Sequence, residues 1–153
     1  MRRALRLGLV GTLLVIGGVF SPARADADAV LGLWRTKEDA ALVSVTRCGN
    51  SLCGTILELK READGKTILI DARNKDAALR ARRIKGLMIL SGYHQQGDTW
   101  VGGMVYSPER GRAFRSKLSL QVNGLLKVEG CLAQICQAEY WTRAPSSAPS
   151  PAP

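Results

Sequence analysis

The sequence predicts an all-β protein: a small antiparallel up-and-down barrel of about eight or nine strands with one short helix. From Val30 onward, apolar side chains recur with a period closer to two than to 3.6 residues, which is the spacing of strands. Turn-forming residues interrupt that pattern often. Many short strands in about a hundred residues favour a barrel or a sandwich, because both protect sheet edges, and the number of strands favours the barrel.

The predicted strands are residues 30–36, 41–48, 53–60, 67–70, 84–93, 99–107, 112–121, 125–131 and 136–142. One segment differs from them. Residues 74–82 begin with Asn74, continue with an acid and end in arginines, which is typical of a short helix with a capping Asn.

The hairpin around residues 122–124 permits a test of register. A three-residue loop pairs Leu120 with Leu126 and sets Lys117 against Glu129 on the other face, whereas a two-residue loop mixes the faces. We therefore predict the three-residue loop. The residues then expected in the core are Phe114, Leu118, Leu120, Leu126 and Val128.

Residues 1–25 are typical of a cleavable secretory signal. Arginines at positions 2, 3 and 6 precede an apolar run over residues 7–20, and Ala23-Arg24-Ala25 has the small-x-small pattern of a cleavage site. The run is shorter than the roughly 20 residues that span a bilayer; an uncleaved anchor is the alternative. We expect a periplasmic or secreted protein whose mature chain has no transmembrane segment.

Three segments follow from this organisation: the signal at 1–25, one β-barrel domain at 26–143, and a disordered Pro/Ala/Ser tail at 144–153. The signal would remove four arginines and no acid, lowering the net charge from +9 to +5. This excess is too mild for a dedicated nucleic-acid binder. We expect a monomer.

The four cysteines form two pairs with the same C-x4-C spacing, each between strand-like segments. In an oxidising compartment such spacing predicts a disulfide framework, here Cys48–Cys53 and Cys131–Cys136. Crossed pairing between the hairpins is the second choice. A zinc site of all four cysteines is a further alternative, although its usual spacing is C-x2-C.

If each cysteine loop is a four-residue hairpin connection, the two cysteines of a pair lie directly opposite each other. The first hairpin would then pair Thr46 with Thr55, and the second would pair Leu126 with Trp141.

No catalytic constellation emerges, so no catalytic residue, cofactor or metal site is predicted and the protein is not expected to be an enzyme. His94 is the sole histidine and is placed at a hairpin tip, without a positional link to a nucleophile or an acid. The acids in turns or at a helix start, which commonly cap backbone donors, are Asp64, Asp71, Asp76, Asp98 and Glu109.

Two sets of residues are candidate binding groups. Tryptophans in strands are usually core residues, but in a small barrel they can also line a cavity. The predicted ligand-binding residues are Trp34, Trp100 and Trp141, with Arg143 near the cavity mouth. The predicted surface patch, a solvated face or a docking site for anionic groups, is Arg80, Arg82, Arg83 and Lys85.

Several motifs together resemble a bacterial family of exported proteins, domain of unknown function 2147 (DUF2147). They are Gly32-Leu33-Trp34, Arg47-Cys48-Gly49, Leu52-Cys53-Gly54-Thr55-Ile56, Asn74 with Leu79-Arg80, Ile84-Lys85-Gly86-Leu87, Trp100-Val101-Gly102-Gly103, Ser107-Pro108-Glu109-Arg110-Gly111, Gly130-Cys131-Leu132 and Trp141-Thr142-Arg143. The chain departs from the family pattern at Ser107, Phe114 and Arg83-Ile84, where the family has Asp, Tyr and Arg-Pro. The resemblance covers about residues 30–143 and implies a lipocalin-like barrel in the bacterial envelope, with no agreed activity.

Three hypotheses of function remain. The first is a non-enzymatic module that binds a small hydrophobic or amphipathic ligand, or another envelope component. The second is an envelope interaction or stress protein that docks on an anionic surface or partner through the basic patch. The third is a hydrolase, which would need a polar pocket with a perturbed acid that the sequence does not display.

Overall fold

The computed structural model describes residues 27–146 and forms a closed antiparallel barrel of eight strands, each paired with its neighbours in the chain. The strands are β1 (Gly32–Arg35), β2 (Ala41–Cys48), β3 (Ser51–Leu59), β4 (Met88–Gln96), β5 (Thr99–Ser107), β6 (Arg112–Leu120), β7 (Leu126–Leu132) and β8 (Ile135–Arg143). β1 closes the barrel by pairing Trp34 with Arg143 and Arg35 with Thr142. The predicted up-and-down barrel is therefore confirmed.

The two ends of the barrel differ, and we call them the base and the rim. The base carries the 3₁₀ turn Ala27–Val30 and the β2–β3, β4–β5 and β6–β7 hairpins. The rim carries the β1–β2 connection, the long segment 60–87, the β5–β6 turn and the β7–β8 hairpin. This arrangement follows from the alternating strand direction of a meander.

The core fills the barrel with large side chains. Those that are fully buried include Trp34, Trp100, Tyr93, Leu52, Leu90, Leu118 and Leu126. The predicted register of the β6–β7 hairpin is confirmed: Leu120 pairs with Leu126, and Lys117 faces Glu129 with 2.9 Å between Nζ and Oε1. Leu120 is half-buried, whereas Phe114, Leu118, Leu126 and Val128 are buried.

Both disulfides, Cys48–Cys53 and Cys131–Cys136, are present. In the second hairpin Cys131 lies directly opposite Cys136 and Leu126 opposite Trp141, as predicted.

The register predicted for the first cysteine hairpin is wrong. Thr46 pairs with Cys53 rather than Thr55, and Cys48 pairs with Ser51, so the two cysteines are diagonal neighbours. The connection is a two-residue turn in which Gly49 has a φ of 61°. Gly at positive φ makes such a tight turn possible, and a diagonal pair is still close enough to be bridged.

Segment 60–87 contains less regular structure than predicted. Residues 67–70 are not a strand, because Ile70 forms only an isolated bridge with Arg83. The predicted helix shrinks to the 3₁₀ turn Ala77–Leu79, and its cap is Asp76, whose side chain accepts from the amide of Ala78. Asn74 does not cap a helix because its side chain is engaged with other groups of the protein.

The predicted signal, residues 1–25, and residues 147–153 of the predicted tail lie outside the described residues. The fold continues one residue past the predicted domain boundary at Arg143. Ala144 is buried and its amide donates to the carbonyl of Leu33 at 2.9 Å.

Alanine substitutions at two glycines, one in contact with segment 60–87 and one not, test how closely that segment lies against the barrel. Gly111 and Gly97 have nearly equal φ values of +62° and +63°, but a Cβ on Gly111 would lie 1.7 Å from the carbonyl oxygen of Arg73, whereas one on Gly97 meets nothing within 4 Å. We expect Gly97→Ala to cost about 1–2 kcal/mol of unfolding free energy from backbone strain alone. Gly111→Ala should cost at least about 2 kcal/mol more, because the backbones must separate. Urea unfolding of the two variants measures this; equal losses would contradict the close approach.

Candidate functional site

The three tryptophans predicted to line a cavity are buried core residues. Trp34 is 0% exposed, and its indole Nε1 donates to the carbonyl of Val30 at 2.9 Å. The indole of Trp141 donates to Glu139 Oε2 at 3.2 Å. Their direct part in ligand binding stays a prediction.

Arg143 lies at the base rather than at the rim. Its guanidinium lies 4.2 Å from the ring of Trp34 and donates to the carbonyls of Leu31 and Ala29. It also borders a surface cleft of about 510 Å³ beside Gly32 and Leu33. The side chain therefore clamps the N-terminal 3₁₀ turn to the barrel, and its donors already have partners.

The predicted basic patch is not a uniform cationic face. Arg82 forms an ion pair with Asp71, with 2.9 Å between Nη2 and Oδ2. The Nε of Arg80 donates to the carbonyl of Asn74 at 2.8 Å, and Arg83 lies 3.6 Å from Glu62. Lys85 borders a cleft of about 300 Å³ whose lining includes both acids and bases. These contacts favour a role in holding segment 60–87 over a role in docking.

A buried polar cluster, which we call the Asp71 cluster, joins that segment to the barrel. It consists of Asp71, Asn74, Arg82 and Tyr106. The Tyr106 hydroxyl donates to the Asp71 carboxylate at 2.7 Å, the Asn74 amide donates to it at 2.7 Å, and Arg82 Nε donates at 3.0 Å. Arg82 also stacks on the Tyr106 ring, 5.3 Å from its centroid.

The electrostatics of the cluster favour an ionised carboxylate. Burial opposes ionisation of Asp71, but hydrogen bonds from Asn74, Tyr106 and Arg82 outweigh burial and hold its pKa below the usual range. Burial, followed by the contact with Asp71, raises the pKa of Tyr106, so its phenol remains a donor. An acid held in this state is a structural anchor and is not poised to exchange protons near neutral pH.

Local sequence patterns do not reveal this cluster. They place Asp71 among turn acids, Asn74 at a helix cap and Arg82 in a surface patch, and they indicate no role for Tyr106. Tyr106 and Asp71 are separated by 35 residues in the chain, so no local pattern links them. The one available signal was the group of strongly polar residues in 71–82, more than a loop of that length needs.

Small residues form a row across the inner wall of the barrel. Gly103 pairs with Ser116, and Ser116 pairs with Gly130. Gly130 in turn pairs with Gln137, so these four positions lie on the same face of the sheet. The ring of Tyr93 lies on this row: a Cβ on Gly103 would be 2.4 Å from the ring carbons. Only glycine at position 103 leaves room for the tyrosine.

Two hydroxyl groups in this region are buried without a hydrogen-bond partner among the described residues: Tyr93 Oη and Ser116 Oγ. The two hydroxyls lie near each other but outside good hydrogen-bond geometry: burial raises the pKa of Tyr93, and weak hydrogen bonding with Ser116 opposes that rise, so the phenol stays protonated and has capacity for a further partner. Leaving such a group unsatisfied costs about 1–3 kcal/mol. These hydroxyls are the polar groups of an otherwise apolar interior.

The inner wall is open toward the rim. Gln137 and Glu139 face the same side as Gly130 and Val128 yet are exposed. Beside them, two arginines stack on the ring of Phe114, with Arg110 5.5 Å and Arg112 4.9 Å from its centroid. On the rim side of the hydroxyl pair, the inner wall therefore carries an aromatic ring, guanidinium groups and a carboxylate.

His94 and one group with metal-ligand spacing are explained by local packing and by a disulfide. His94 lies within β4, exposed, against Gly102, where a Cβ would be 2.4 Å from its ring. Among the described residues, Glu129, Cys131 and Cys136 come together with metal-ligand spacing, but the two sulfurs form a disulfide and are not thiolates.

The Asp71 cluster makes stability depend on pH. Folding lowers the pKa of Asp71, so its contribution is complete above the usual aspartate pKa of about 3.9 and is lost as the pH falls through the lower folded value. We expect Asp71→Asn to reduce the unfolding free energy by about 2 kcal/mol at neutral pH, because the donors of Asn74, Tyr106 and Arg82 lose a charged acceptor. Urea unfolding from pH 7 into strong acid should show the difference between variant and parent shrinking. A difference independent of pH would contradict the assignment.

Comparison with known proteins finds a matching family and a solved structure of similar fold. The family profile described as "Uncharacterized protein conserved in bacteria (DUF2147)" matches residues 32–143. A solved structure described as protein HP1028 from the human pathogen Helicobacter pylori, of the lipocalin family, is similar with a TM-score of 0.65 and 19% identity, covering 76% of this chain and 83% of that one. The comparison with curated proteins gave no match. No helix of residues 27–146 is long and apolar enough to cross a membrane.

Proposed function

The chain belongs to the DUF2147 family of bacterial proteins and has a lipocalin-like fold, and from this premise we propose that it is a non-enzymatic binding module of the cell envelope. Its ligand is a small hydrophobic or amphipathic molecule held inside the rim half of the barrel. Fold likeness alone is weak support for a function. The proposal therefore depends on the chemistry of the interior.

The observation that carries the proposal is the pair of unsatisfied hydroxyls, Tyr93 Oη and Ser116 Oγ. Binding sites of this type combine apolar walls with a small number of polar groups that orient the ligand. A ligand hydroxyl or carbonyl that bonded to this pair would recover the free energy that the hydroxyls lose on burial. Val105 and Phe114, which pack over this wall, would supply the apolar surface for the rest of the ligand.

The predicted ligand-binding residues have different parts in this proposal. Trp34, Trp100 and Trp141 form the packed floor below the hydroxyl pair, where they limit how deep a ligand can reach. Arg143 is at the other end of the barrel, so we assign it to closing the base.

Isosteric variants test the ligand site. We expect Tyr93→Phe with Ser116→Ala to reduce, by about tenfold, the ligand retained after the purified protein is soaked with a bacterial lipid extract, because a ligand hydrogen bond is lost. Native mass spectrometry of the soaked protein measures retention. The matched control is Tyr140→Phe, which removes an exposed phenol from the outer face.

The same variants should keep or increase thermal stability, because each removes an unsatisfied polar group. Retention by the double variant equal to that of the parent would refute the hydroxyl site. Absence of any retained molecule on the parent protein would refute the binding module.

The envelope location rests on the signal-like residues 1–25 and on the two disulfides, which persist in oxidising compartments. We expect the protein recovered from the periplasm or medium of its host to begin at Asp26. Its intact mass should be four hydrogens below that of the fully reduced chain, since two disulfides are closed. Mass spectrometry with and without reduction checks both points. A retained signal with free thiols would contradict the location.

A further inference from the structure

The β7–β8 hairpin ends in an exposed apolar pair. Leu132 and Ile135 lie directly opposite each other and are 55% and 75% exposed. The turn between them has only two residues, and the Cys131–Cys136 disulfide crosses the next position of the ladder. The tip is therefore short and covalently braced, so it can present its two side chains without a large loss of conformational entropy on binding.

The tip lies at the rim, and its two apolar residues extend the inward-facing rows of β7 and β8. Arg115 pairs with Cys131, so one further step of the same register brings Leu132 level with Phe114. Ile135 lies two residues before Gln137 on the same face of β8, a distance of about 7 Å along a strand. The apolar pair therefore stands at the rim end of the same inner wall.

Cationic side chains lie beside this tip. Arg110 donates to Gln137 Oε1 at 2.7 Å, Arg112 lies next to it over Phe114, and exposed Arg115 is opposite Cys131. The acids near the tip are partly engaged. Glu129 lies 2.9 Å from Lys117 and 2.8 Å from Lys127, and Glu139 accepts from the indole of Trp141.

Glu109 is exposed as Glu139 is, and the backbone carbonyl of Glu109 accepts from Arg73 at 2.9 Å. Arginines therefore exceed free carboxylates around the tip.

We propose that this rim tip is a membrane-docking surface for bilayers that contain anionic lipid. Leu132 and Ile135 enter the interfacial region between headgroups, while Arg110, Arg112 and Arg115 contact lipid phosphates. Apolar side chains flanked by arginines are the combination that interfacial binding requires: the apolar part supplies burial and the arginines supply attraction to anionic headgroups. The positive net charge of the chain favours the same partner. The proposal goes beyond ligand binding and does not depend on it.

Vesicle co-sedimentation tests whether the two apolar side chains of the tip contribute to membrane binding. The full mature protein should bind vesicles of phosphatidylethanolamine and phosphatidylglycerol, and Leu132→Ser with Ile135→Ser should weaken partitioning about tenfold or more, because the buried aliphatic area is lost. The matched control is Val122→Ser. Val122 is 112% exposed on the β6–β7 hairpin, an aliphatic side chain at the tip of a hairpin but at the base of the barrel.

A second set of vesicle-binding measurements tests the role of the three arginines. Replacing Arg110, Arg112 and Arg115 with glutamine should weaken binding about tenfold or more at low salt, and binding of the parent should fall as salt rises. Pure phosphatidylcholine vesicles should bind the parent much less than the anionic vesicles. Circular dichroism checks that each variant is folded, which is expected because the substituted side chains lie at the surface or rim.

Three results would overturn the proposal. The first is no binding of the parent protein to anionic vesicles. The second is equal loss in the Val122→Ser control and the tip variant, which would mean that no single end docks. The third is concentration-dependent dimerisation that the tip variant abolishes while vesicle binding is unchanged, which would make the tip a contact between copies. Ligand retention by the barrel is measured without vesicles, so failure of docking and failure of ligand binding are separable.

Discussion

The barrel depends on the placement of one indole. Trp34 lies in β1, which has only four residues yet must pair with both β2 and β8 to close the sheet. Its ring is fully buried, its Nε1 donates to the carbonyl of Val30, and the guanidinium of Arg143 covers it from β8. A single side chain thus holds together the first strand, the last strand and the N-terminal 3₁₀ turn. Because β1 and β8 share few ladder bonds, this packing supplies the closure that the backbone alone does not.

The second constraint concerns the long segment 60–87, which has little regular structure with which to pack. The Asp71 cluster compensates for this by placing a buried carboxylate among donors from the segment itself and from Tyr106 on the barrel. Buried charge is tolerated only where it is fully paired, and here every contact that satisfies Asp71 also restrains the segment. Among the arginines of residues 80–83, Arg82 pairs with Asp71, and Arg80 donates to the carbonyl of Asn74 in the same cluster.

The rim half of the barrel is organised differently from the base half. At the base, large side chains fill the interior, and Arg47 lies over Trp100 and contacts Asp28 of the 3₁₀ turn. Toward the rim, glycines and a serine replace bulky residues on the inner wall, and polar side chains of β8 face inward while remaining exposed. A protein selected for stability alone would fill such a wall with apolar groups. The Tyr93 and Ser116 hydroxyls belong to this more polar half, where the proposed binding function would carry a cost in stability.

The sequence by itself determined the features that depend on neighbouring residues. Alternation of apolar and polar positions identified the strands of the meander, and the opposite charges of Lys117 and Glu129 selected the register of their hairpin. The cysteine spacing identified both disulfides, but it could not distinguish direct from diagonal pairing of Cys48 and Cys53, since both geometries bring the sulfurs together. Tertiary structure alone decided the rest. Tyr106 reaches Asp71 because segment 60–87 packs against β5, and Arg143 reaches Trp34 because barrel closure pairs the first strand with the last. Local sequence patterns contain no information about such contacts, because the energy of each depends on the three-dimensional packing of residues that are far apart in the chain.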